Sequence, residues 1–269
     1  MYRLALWILS VSFFAPTIPV LVAMGEARST LAGGIGIHSE ATLTPEQRAV
    51  LSYISLVTVR GEGGESYPTL RITGANLQVV NGLGSTNGNP VDPDSLDPHE
   101  TQTDGTGNII VGYNESAPGY AARRGSHNVI VGSKLAYTRF GGIVVGRASA
   151  IQGAYATVTG GRGRAMGDHS SIAGGEGIAV GEYSTIAGGV SGVASGDGAT
   201  VSGGDNNEAS GPQSSVVGGE GNVAGAYSSV VVGGNGNVAE GMLSVVSAGE
   251  QRHAIGTHAW IACDLESCP

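Results

Sequence analysis

The stretch SSVVGGEGNVAGAYSSVVVGG, residues 214–234, contains its own near copy, and its two glycine pairs close at Gly219 and Gly234. Working outward, VTGG from Val158, IAGG from Ile172, IAGG from Ile186 and VSGG from Val201 close at Gly161, Gly175, Gly189 and Gly204. Successive spacings from Gly161 to Gly234 are 14, 14, 15, 15 and 15. The register extends back through IIVG, VIVG and IVVG, ending at Gly112, Gly132 and Gly146, and forward to VSAG, ending at Gly249. A near-constant period of this kind means stacked structural coils, and about ten of them are expected.

Three residues before each closing glycine stands a β-branched residue: Ile109, Val129, Ile143, Val158, Ile172, Ile186, Val201, Val216, Val231 and Val246. Such residues are stiff at χ1 and favour extended backbone, which predicts an inward ladder repeating once per coil. Two positions earlier, on the same strand face, stand small residues or His127. A second ladder, Ala165, Ala179, Ala194, Ala209, Ala224 and Ala239, follows each corner. The predicted fold is therefore all-β, a parallel β-roll or solenoid, with one Val or Ile and one Ala filling each turn. About 1.5–3 kcal/mol per buried aliphatic is small against an ordering cost of about 1–2 kcal/mol per residue. Side-by-side association is expected to bury further faces.

The phrases GNIIVG, HNVIVG, GGIVVG and the 214–234 stretch resemble the head repeats of YadA-like trimeric autotransporter adhesins. The resemblance covers residues 105–250. It implies a left-handed roll, a homotrimer and attachment to an extracellular protein or glycan surface. Two departures stand beside it: most repeats close in a glycine pair, and neither a coiled-coil stalk nor a membrane-anchor barrel follows the head.

Composition narrows the class. With 47 Gly and 5% aromatic residues in 269, the chain is too glycine-rich for a common enzyme core, and glycine does not recur every third residue as in collagen. A net charge of -9 opposes nucleic-acid binding.

In chain order, residues 1–25 read as a secretory signal: Arg3, an apolar run from Leu4 to Val22, then Ala23-Met24-Gly25. The expectation is a secreted or cell-surface product with no membrane span in the mature chain. A linker, 26–41, leads to an N-terminal helix and β cap, 42–81. Thr44-Pro45-Glu46-Gln47 has the form of a capping box with Pro at the first helical position. Leu43, Gln47, Val50, Ile54 and Val57 follow heptad spacing. They form either a short trimeric coiled coil or a brief amphipathic helix packed on the next strands. ISLVTV, TLRITG and ANLQVVNG read as strands of the cap.

An acidic Gly/Pro loop, 82–106, offers Asp92, Asp94, Asp97 and Asp104 without the spacing of a calcium loop, and reads as a solvated loop. An insertion between Gly112 and Gly132 carries Tyr113, Tyr120, Arg123 and Arg124. The repeats occupy 107–250. The tail, 251–269, reads as a C-terminal cap in which Cys263 and Cys268 form a small disulfide loop or pair between chains.

The six histidines form no HExxH, no serine lies in GxSxG with an identifiable base, and no cofactor or metal site is expected. Asn207, Asn222 and Asn237 recur at one coil position, as a ladder satisfying corner amides would require. Tyr155, Tyr183 and Tyr227 precede the Val/Ile strand and are the candidate partner contacts. The expected function is non-enzymatic: a surface adhesin or structural matrix protein. The alternatives are a glycan-active solenoid enzyme and a phage-tail-fibre-like module with a site in the 81–125 loops.

Overall fold

The computed structural model describes residues 43–116 and 122–262. The signal, the linker, Tyr120, Cys263 and Cys268 lie outside them. The chain divides after Leu77 into two units.

The first unit is a short helix and a hairpin. Helix α1, Pro45–Ser52, starts at the capping box: Thr44 Oγ1 accepts from Gln47 N–H at 3.2 Å and Gln47 Oε1 accepts from Thr44 N–H at 2.9 Å. Hydrogen bonds from its own N–H and from Thr44 hold the Glu46 carboxyl below the usual carboxylate range. Antiparallel strands β1, Ile54–Arg60, and β2, Ser66–Ile72, follow. The heptad seam is therefore helical only at Gln47 and Val50. Its last members, Ile54 and Val57, lie in β1, because a run of β-branched residues replaces helix formers beyond Ser52. ANLQVVNG forms no strand. α1 buries no residue, and the cross-strand pair Leu56 and Leu70 is 76% and 69% exposed.

The second unit is a parallel β-solenoid of about nine turns, with strands in an 11-stranded and a nine-stranded sheet. Nine coils each contribute one short strand to each sheet, separated by glycine-rich corners, and Ile109–Val111 and Trp260–Ile261 add one strand at either end of the larger sheet. The buried column of the larger sheet runs Ile130, Val144, Val158, Ile172, Ile186, Val201, Val216, Val231 and Val246. In the smaller sheet Ala165 to Ala239 occupy the facing column, which Tyr137 and Ile151 begin and Ala254 continues.

Three expected ladder members are corrected. Ile109, Val129 and Ile143 pair in register with one another and then with Thr157, so they stand in the outward column, and Ile109 and Ile143 are exposed. The early repeats close in one glycine where the later ones close in two, and Gly132 pairs with Gly146 while Val145 pairs with Thr159. Alignment on the last glycine therefore shifts the first three coils by one residue, which moves a side chain to the opposite face. The boundary at 250 is also corrected. His253–Ala254 and Trp260–Ile261 make one more coil, although its corner lacks a glycine pair.

The longer coils differ from the shorter ones by one added corner residue with positive φ, at Ser191, Asn206, Gly221, Gly236 and Gln251. In the last three of these coils the next residues on the inner corner are Asn222, Asn237 and Arg252, following Asn207. Asn222 N–H donates to Asn207 Oδ1 at 3.0 Å and Asn237 N–H to Asn222 Oδ1 at 2.9 Å. Each Asn Nδ2 donates to two glycine carbonyls at the same corner, which stacks the amides coil on coil.

Candidate binding surface on the solenoid corner

The opposite corner, just before the strands of the larger sheet, is a column of positive φ whatever residue it holds: Tyr155, His169, Tyr183, Gly198, Gln213, Ser228, Leu243 and His258. A non-glycine residue there is strained by about 1–2 kcal/mol, so coil stacking imposes the conformation on the local sequence. Parallel strands repeat about every 4.8 Å, which brings ring on ring. Tyr155 and His169 stack with centroids 5.3 Å apart and planes 14° apart; His169 and Tyr183 do so at 4.8 Å and 1°. Below them buried Phe140 meets Tyr155 edge-on at 5.4 Å. Gly141 makes this possible, because a Cβ there would lie 2.5 Å from the Tyr155 ring.

Two of the three candidate tyrosines thus share a column, and Tyr227 does not. It lies one residue before the corner, in the column of Asp168, Glu182, Asp197 and Pro212. The residue that joins Tyr155 to Tyr183 is His169, which belongs to no catalytic motif and whose signal in the sequence is its place midway between them, one coil period from each.

A second feature lies where 78–86 packs on the first coils. The cleft there measures about 660 Å³, between Val79, Val80, Asn81, Ser85, Thr86 and His127. His127 Nδ1 lies 2.9 Å from Thr86 O, and its Nε2 accepts from Asn81 N–H at 3.2 Å. This fits the tautomer with hydrogen on Nδ1, and both ring nitrogens are already engaged.

The loop 82–106 is ordered around buried Asn87, whose Nδ2 donates to Asp92 O and Ser95 O and whose Oδ1 accepts from Ser85 Oγ and Asn89 N–H. Three of its four aspartates turn to partners within the fold. Asp92 and Asp97 each accept from the backbone two residues on, and Asp104 from Thr106 N–H, Thr106 Oγ1 and Ser126 Oγ. Burial alone would raise Asp104, and those hydrogen bonds outweigh it to leave its carboxyl below the ordinary value. In the insertion Tyr113 is 94% exposed, and the Arg123 guanidinium donates to Asn114 O. Among the described residues no cluster of three His, Cys, Asp or Glu could hold a metal ion, and no helix is long and apolar enough to cross a membrane.

No protein-family model matches this chain, and neither a curated protein nor a solved structure shows significant similarity to it.

Proposed function

We propose that the chain is an exported, non-enzymatic surface adhesin or matrix protein, working as a homotrimer through a YadA-head-like solenoid. The observation that carries the reading is the outer face of the larger sheet. In the middle coils its column next to the buried one is Thr157, Ser171, Thr185, Thr200 and Ser215; in the last coils it becomes Val230, Val245 and Trp260. Val217 and Val232, 47% and 45% exposed, lie on the same face. A contiguous apolar stripe beside a core of one Val and one Ala per coil supports packing of copies side by side. The hairpin with exposed Leu56 and Leu70 supports it too, since two strands and an eight-residue helix are marginal alone.

The test is the mass of residues 40–269 by light scattering, followed by attachment to cells and matrix. A folded monomer at micromolar concentration, or turnover of a glycan or ester, overturns the reading. Val217→Lys with Val232→Lys is expected to yield monomer with the solenoid spectrum retained. The cleft at His127 favours a second reading, a glycan-active or fibre-type module with its site in the 81–125 loops. The engaged nitrogens of His127 leave that cleft without a free base.

A further inference from the structure

The aromatic stack ends at a missing rung. Above Tyr183 the same column holds Gly198, and above that Gln213. The corner backbone continues without interruption: Gly198 N–H donates to Glu182 O at 2.7 Å and Gln213 N–H to Asp197 O at 2.7 Å. Only the side chain is absent. A Cβ built on Gly198 would meet nothing within 4 Å except Gln213 Cγ at 3.7 Å. Tyr183 is correspondingly 61% exposed, against 37% for Tyr155 within the stack. Two coil rises separate the Tyr183 rung from the Gln213 rung, about 10 Å, which is room for one ring at stacking distance from each.

Resting on the adhesin reading above, we propose that this slot binds a neutral pyranose unit of a surface glycan. The sugar's C–H face lies on Tyr183 and Gly198 forms the back wall. Gln213 closes the slot from above with its stem and amide. Glu182 and Asp197, each exposed and each immediately before the corner residue of its coil, flank the slot with carboxylate acceptors for sugar hydroxyls. One Asp197 oxygen already accepts from Glu182 N–H at 3.1 Å, and the other is available. A phenylalanine side chain would stack equally well but would bring nothing to donate to these acceptors, and a tyrosine or tryptophan would bring a single donor where a pyranose brings several hydroxyls. Sialylated or sulfated sugars would meet two carboxylates and a chain of net charge -9.

The experiment applies the full mature chain to a printed array of neutral oligosaccharides and their sialylated counterparts, beside attachment to cells. Tyr183→Ala removes the platform. Gly198→Tyr fills the rung with the protein's own ring, in a backbone conformation that Tyr155 and Tyr183 already adopt. Met242→Ala, at an exposed position outside the column, is the control. The expected result is binding to neutral glycans that falls about tenfold or more in both slot variants and not in the control, with circular dichroism unchanged. Absence of glycan binding by the wild type, retention of binding by a folded Gly198→Tyr protein, or equal binding of sialylated glycans overturns the inference. If cell attachment persists in that variant, the adhesin reading stands while the slot falls; if the wild type attaches to nothing, both fall.

Discussion

Asn222 is the most informative residue to change, because its side chain holds three backbone groups at once. It is fully buried, its Nδ2 donates to Gly218 O at 2.9 Å and Gly234 O at 3.0 Å, and its Oδ1 accepts from Asn237 N–H at 2.9 Å. In Asn222→Ala, Gly234 O keeps its bond from Glu220 N–H at 3.0 Å, whereas Asn237 N–H and Gly218 O lose their side-chain partner. A buried group left without a partner costs about 1–3 kcal/mol, so the loss for the two is about 2–6 kcal/mol, the lower figure applying where water enters the corner. Asn222→Asp is expected to be worse than Ala at neutral pH, since a carboxylate would face two carbonyl oxygens. That burial and contact raise its folded-state pKa above the unfolded value, so the penalty is present at high pH and is relieved as pH falls and the carboxyl can donate. Urea unfolding supplies the loss, and amide exchange at Asn237 locates it, since solenoids open coil by coil. Asn235→Ala, at an exposed position of the same corner, is the reference and should stay within about 0.5 kcal/mol. If Asn222→Ala is equally mild, or Asn237 N–H exchanges no faster, the ladder does not hold the corner.

Val201→Asp puts an unpaired charge into a fully enclosed column and should cost several kcal/mol, while Asp205→Ser at the exposed corner should be nearly silent; equal melting temperatures would refute the assignment of faces. Deleting Asp205 to Gly219 removes one whole coil and joins partners already in register, because Asp205 bridges Glu220, so the rod should fold one coil shorter. Deleting only half a coil at the same place should cause misfolding, and comparable circular dichroism for the two would contradict the coil boundaries. Asp104, with its carboxyl pKa lowered in the folded chain, contributes stability above its unfolded pKa that is lost as pH falls through the folded one. Amide protection in residues 82–106, taken relative to the intrinsic exchange rate at each pH, should therefore fall on acidification, and Asp104→Asn should flatten that pH dependence.

The period, the Val/Ile and Ala columns from Val158 to Val246, the asparagine stack and the capping box were all legible from residue types at fixed spacing. Each rests on chemistry local to one position: β-branched stiffness, the volume of an alanine, an amide that both donates and accepts. In the first coils that chemistry is degenerate, because IIV, VIV and IVV offer three β-branched residues in succession and any of them suits a strand. Only pairing with the neighbouring coil decided that Ile130 and Val144 face inward while Ile143 stands outside. The same holds at the C-terminal end, where register continues through Ala254 and Ile261 without the glycine pair that marks it elsewhere. It holds again at the aromatic corner. Tyr155, His169 and Tyr183 follow one another at 14 residues, but Gly198, 15 residues on, became the gap in their stack only when a longer coil was laid over the shorter ones. The position of a ring in such a stack depends on the length of every coil beneath it, and so it belongs to the tertiary structure.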